Sequence, residues 1–135
     1  MTNWIHEGWH SVTPRLVVPD AAKLVEFLRH AFDATGDFRT DIPSEITIGD
    51  SRVMVSTVGP RDAMPAFLYL YVDDIDATYE RALKAGAESL EEPQDMPYGD
   101  RRGMVKDPGG NIWQIATHNE EAFQDFIRQR SAAKP

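Results

Sequence analysis

Between Phe67 and Val72 the chain alternates with a strict period of two, Phe67, Tyr69 and Tyr71 on one side and Leu68, Leu70 and Val72 on the other. That period specifies a β-strand. Neither side is polar, the pattern of a strand covered on both faces. The aliphatic side suits packing under a helix, and the aromatic side lines either a second core or a pocket. Asp73-Asp74 end the alternation, and Asp74 is placed to cap the helix that follows. Ile75, Tyr79, Ala82 and Leu83 then share one face of a helix over residues 75–85, closed by Gly86.

The same arrangement occurs earlier. Residues 10–18 read as a strand ending at Pro19, and Asp20 caps a helix carrying Leu24, Phe27, Leu28 and Ala31 on one face. Sliding 13–34 over 67–88 puts Thr13 on Phe67, Arg15 on Tyr69 and Asp20 on Asp74. A second pair follows the helices: 48–56 over 107–116, with Gly49-Asp50 on Gly109-Gly110 and Met54 on Gln114. The chain therefore reads as two copies of one βαβββ unit and not as a many-repeat solenoid. Two or three short strands are expected between Asp37 and Thr57. In the second copy, strands are expected near 87–91, 101–106 and 111–117, with 92–100 as an irregular loop. Thr117-x-x-Glu120 has the form of a capping box for a terminal helix bearing Phe123, Phe126 and Ile127. Residues Ser131–Pro135 are expected to fray.

The organisation expected is one domain over 1–135: module one about 10–57, a linker at 58–65, module two about 66–118 and a C-terminal helix about 119–130. With 135 residues and a net charge of −8, the surface disfavours non-specific nucleic-acid binding, which needs cations for phosphates. No cysteine is present, which removes disulfides, thiolate metal sites and a cysteine nucleophile. No apolar run reaches membrane-spanning length and the first residues lack a signal peptide's pattern, so the expectation is a cytoplasmic protein with no membrane partner. Trp4, Ile5 and Trp9 suggest that the N-terminal arm covers apolar surface of its own chain or a partner's.

The paired VVPD and VDDID strand ends with their helices, followed by YGDRRGMVKDPGGNIWQIATH at 98–118, resemble the glyoxalase / bleomycin-resistance / extradiol-dioxygenase proteins, also called the vicinal oxygen chelate superfamily. The resemblance covers about 10–118, and DP-x-G-N-x-W is its most specific part. It implies an α+β fold of two βαβββ modules whose mixed sheets curl around a shared cavity, often in a homodimer. It also implies a divalent metal held by the first and fourth strands of each module. Carried onto this chain, those metal positions are Thr13, Met54, Phe67 and Gln114, where relatives typically have His or Glu. The expectation is no metal and no cofactor.

Strand parity from Phe67 places Tyr69, Tyr71, Ile112 and Gln114 on the cavity side, with Thr13 and Arg15 from the first strand and Met54 from its partner. An aromatic surface with a few polar groups is a composition common to small-molecule sites, though the same rings also suit a filled interior. Arg15 on such a face calls for either a ligand or an acidic partner. Arg101, Arg102 and Lys106 form either an anion-attracting or a solvated basic edge. Met96 and Tyr98 are candidates for a lid. The function expected is metal-free binding of a small molecule, sequestering an aromatic or cationic compound. The alternative is a metal-dependent lyase, isomerase or dioxygenase on a small oxygenated substrate, its metal held by non-standard ligands such as His10, His118 and Gln114, with His6 nearby in sequence.

Overall fold

Alternation and helical periodicity sort the chain into two modules. In the computed structural model, which describes residues 4–59 and 62–133, the first module is β1 (Arg15–Val18), α1 (Ala21–Phe32), β2 (Ser44–Ile48) and β3 (Ser51–Thr57). The second is β4 (Phe67–Tyr71), α2 (Ile75–Lys84), β5 (Glu88–Asp95), β6 (Asp100–Lys106) and β7 (Ile112–His118), and α3 (Glu120–Ala133) follows. The fold is α+β, with one mixed sheet ordered β1-β3-β2 and another ordered β4-β7-β6-β5.

The duplication extends to individual hydrogen bonds. β1 runs parallel to β3 with Arg15 opposite Met54, and β4 runs parallel to β7 with Tyr69 opposite Gln114. Asp20 and Asp74 have extended backbones and accept from Lys23 N and Ala77 N, each at 3.1 Å. The next free amide of each helix is met by the same residue of the neighbouring strand: Ala21 N donates to Thr57 Oγ1 at 3.3 Å and Ile75 N to Thr117 Oγ1 at 2.9 Å. Each helix start thus has two of its orphan donors satisfied.

One core serves both modules. Leu16, Val18, Val53 and Val55 of the first sheet and Val105, Trp113 and Ile115 of the second meet the apolar faces of α1 and α2. The helices pack against each other, and the Phe32 ring lies 4.9 Å from that of Trp113. Burying each such side chain contributes about 1.5–3 kcal/mol. Since the core lies on the helix side of both sheets, the opposite face of each sheet turns outward.

The DPGGN turn joins the modules. Asp107, 3% exposed, accepts from Gly109 N at 2.8 Å, Asn111 N at 3.0 Å and Trp113 Nε1 at 2.8 Å. Asn111, fully buried, accepts from Ala66 N at 2.9 Å and so ties the turn to the start of β4. A Cβ on Gly109 would lie 2.6 Å from Val18 Cγ1, so only glycine lets the second module's turn close against β1.

Several expected elements differ. The first strand is confined to Arg15–Val18: Pro14 accepts from Met54 N of β3 at 3.0 Å but has no N–H to continue the ladder, and residues 10–13 lie outside it. The first module has one strand fewer than a full βαβββ unit. Segment 37–43 makes no ladder, and Pro43 there has no N–H to offer one. Conversely, 92–100 is not a loop throughout: β5 continues to Asp95 across Pro93 with two register shifts. β5 is the sheet's edge strand, where a proline is tolerated. Thr117 does not cap α3; its hydroxyl caps α2 and donates to Val72 O, and Asn119 caps α3 by accepting from Ala122 N at 3.0 Å. The helix includes Ser131–Ala133, while Lys134 and Pro135 of the expected frayed end, and Pro60 and Arg61 of the linker, lie outside the described residues.

Candidate functional site

The outer face of the second sheet carries the aromatic row. Leu68 and Leu70 pack on the core, so strand alternation sends Phe67, Tyr69 and Tyr71 to the other side, where they are 66%, 40% and 60% exposed. The Tyr69 and Tyr71 rings lie 5.3 Å apart, tilted by 58°. Beside them on β7 stand Ile112, Gln114 and Ala116, paired in register with Phe67, Tyr69 and Tyr71. On β6, Met104 lies opposite Gln114, Arg102 opposite Ala116 and Asp100 opposite His118.

Asp100 organises one end of this face. Its side chain is 4% exposed, and its Oδ2 accepts from Tyr69 Oη at 2.5 Å and from Tyr71 Oη at 3.1 Å. Its Oδ1 lies 2.7 Å from His118 Nδ1, and His118 Nε2 lies 2.7 Å from Glu120 at the start of α3. Burial alone would raise the Asp100 carboxyl, but the three donors outweigh it and hold it below the usual carboxylate range. Burial, and then the hydrogen bond to Asp100, push both phenols up, so they stay protonated donors. Asp100, followed by Glu120, raises the His118 imidazole. Both its ring nitrogens face carboxylates, an arrangement that only imidazolium satisfies fully.

Two residues further along β6, Arg102 donates to Glu91 at 3.0 Å and to Tyr98 Oη at 3.0 Å. Arg101 points to the helix side and holds Asp76 and Asp95. Both arginines of the expected basic edge are thus internally paired. Tyr98 lies in the turn at 96–99 and is anchored to Arg102.

The expected site residues fall into three groups. Phe67, Tyr69, Tyr71, Ile112 and Gln114 share the outer face of the second sheet. Thr13 and Met54 line a hollow of about 350 Å³ under the N-terminal arm, with Trp9, His10 and Glu45. Arg15 lines a different hollow, of about 460 Å³. His118 borders a third, of about 710 Å³, between α2, the β5–β6 turn and α3. His10 and His118 therefore belong to separate hollows, and Asp100 and Glu120 bracket the His118 ring on opposite sides without converging on a point. The sequence reading missed Asp100, and hairpin register was the available signal: counting outward equally from the turn at 107–111 puts Asp100 opposite His118.

A sequence profile of the Glyoxalase/Bleomycin resistance protein/Dioxygenase superfamily matches residues 9–115. The chain belongs to this superfamily. An uncharacterized protein of Mycobacterium bovis (strain ATCC BAA-935 / AF2122/97) is 32% identical over 136 aligned residues, spanning 87% of this chain and 90% of its own length. Among solved structures, TioX from Micromonospora sp. ML1 superposes with a TM-score of 0.71 at 24% identity, over 82% of this chain and 99% of that one. A glyoxalase-related enzyme from Fulvimarina pelagi gives a TM-score of 0.62 at 21% identity, over 81% and 89%. These two share the superfamily fold with this chain.

Proposed function

We propose that this superfamily member binds a small aromatic molecule against the β4 face, without a metal, and that a second copy of the chain closes the site. The observation that carries this reading is the wall of Phe67, Tyr69 and Tyr71, open to solvent yet held in place. Two of its three rings are pinned through their hydroxyls by Asp100, so little freedom is lost when a flat ligand stacks on them. Because each sheet's outer face turns away from the chain's own core, enclosing a ligand needs a cover from outside. A homodimer supplies one by bringing a surface of the partner against it.

The donor set supports the metal-free part. Thr13, Met54, Phe67 and Gln114 offer a hydroxyl, a thioether, a benzene ring and an amide, a set that does not fit a catalytic zinc, nickel, iron or manganese ion. The protein's charge of −8 favours an aromatic ligand that also carries positive charge.

A panel of neutral and cationic aromatic compounds, read by thermal shift and ligand-observed NMR, tests the proposal. Phe67→Ala should weaken the best ligand about tenfold, the scale of one lost stacking contact. Arg101→Ala, on the helix side, should leave its affinity within about twofold. Zn²⁺, Ni²⁺ or Mn²⁺ should give no saturable rise in the unfolding midpoint; such a rise would overturn the metal-free reading.

A further inference from the structure

Arginine pairing in this acidic chain is uneven. Arg29, Arg81, Arg101, Arg102 and Arg128 each hold a carboxylate. Arg52 and Arg130 lie over the rings of Trp9 and Phe126. Among the described residues, Arg15 and Arg39 engage neither a carboxylate nor a ring, and these two line the same hollow. In a chain with 22 acidic against 14 basic residues, an arginine finds an acid easily, so two left over together call for a reason.

The hollow measures about 460 Å³ and lies on the outer side of the first sheet. Arg15 is held there by the β1–β3 ladder, opposite Met54. Arg39 is held by its backbone N–H, which donates to the fully buried Ser44 Oγ at 2.8 Å. Part of the remaining wall is apolar and exposed, with Phe38, Ile42 and Val58 among the large hydrophobic side chains open to water, and Thr40, Ser56 and Thr57 add hydroxyls. Asp41 also lines the hollow and pairs with neither arginine.

We infer that this hollow is a binding site for an organic carboxylate: an oxyanion seated on Arg15 and Arg39, with an apolar body against Phe38, Ile42 and Val58. A guanidinium matches a carboxylate through two parallel N–H donors. An exposed ion pair alone holds little, so the apolar wall supplies the remaining affinity, and the volume suits a small ligand. The chain's overall charge repels anions, so binding here depends on this local pair and not on the general field. The inference stands independently of the aromatic face on β4.

Calorimetric titration of the full chain with 2-naphthoate and with its neutral analogue 2-naphthamide tests it at low salt. The expected result is one naphthoate site per chain, about tenfold tighter than naphthamide. Arg15→Gln and Arg39→Gln should each weaken naphthoate about five- to tenfold, while Arg130→Gln, an equal charge change elsewhere, stays within about twofold. Asp41→Asn should tighten it, by about two- to fivefold, because a facing negative charge is removed. Equal affinities for the two probes, no saturation by about 10 mM naphthoate, or indifference to both arginine substitutions would overturn the assignment. So would naphthoate binding that is lost in Phe67→Ala and kept in Arg15→Gln, which would place the probe on the aromatic face.

Discussion

The two modules share a framework and differ in what they present. Each has an aspartate cap, a threonine meeting the first helix amide, and a parallel strand pair in the same register. On that framework Arg15 occupies the place of Tyr69, and Val17 that of Tyr71. Continuing the hairpin register puts Asp41 in the place of Asp100 and Val58 in that of His118. In the second module these four positions close into a hydrogen-bonded cluster. In the first, all four counterparts line an open hollow. The difference follows from a shorter strand: β2, the counterpart of β6, begins only at Ser44. β6 carries Asp100 within a ladder beside His118, whereas Asp41 lies in segment 37–43, outside any ladder. A duplicated fold has thus kept its hydrogen-bonded frame and separated the chemistry of its two outer faces.

The largest expected effect lies at the turns. Asp107→Ala leaves several buried donors without an acceptor, each worth about 1–3 kcal/mol, and should cost about 3–5 kcal/mol in urea unfolding. The matching turn of the first module is exposed, and the one side-chain bond made there by Asp50 is to Ser51 Oγ. Asp50→Ala should stay within about 0.5 kcal/mol. Similar costs at the two turns would show that the second module's turn is not the joint between the halves.

Next in size is the pair Asp100 and Asp41. Asp100→Ala frees two phenols and an imidazole, all partly exposed and able to turn to water, so about 2 kcal/mol is expected. Asp41→Ala should change stability by under about 0.5 kcal/mol. If both are silent, the cluster does not hold the aromatic wall, and the pre-organisation argument for ligand binding falls with it.

How much of this was legible in the sequence divides along the same line. The alternation of β4, the apolar stripes of α1 and α2 and both aspartate caps are local patterns, and they appear in the structure where the residues put them. The repeat alignment placed Arg15 over Tyr69 and Met54 over Gln114, and the strand registers agree. Features set by tertiary context were not legible. Pro93 argued for a loop because its position at a sheet edge was unknown, and Thr117 matched a capping box while its hydroxyl served the neighbouring helix. That the Thr13–Met54 and Phe67–Gln114 sets lie on separate outward faces depends on α1 packing against α2 in the common core, which no strand parity encodes.

The smallest effect is the most specific, because only one of the modules can show it. His118 is raised by Asp100 and then Glu120, so its imidazolium binds the folded state better than the unfolded one. That contribution is fully present below the unfolded value, about 6.5, and is lost as pH rises through the higher folded value. Asp100 and Glu120 are depressed, so their contributions hold above about 4 and are lost only in acid. The stability margin of the natural protein over His118→Gln, measured as urea midpoints from pH 5 to 9, should therefore shrink steadily above neutrality. Substitution of Val58, the counterpart in the first module, should give a margin flat across the same range, since valine does not titrate. A margin at His118 that grows with pH would mean that the imidazole is neutral between its two carboxylates, and that the contact between β7 and α3 is held by Phe123, whose ring lies 5.7 Å from that of His118.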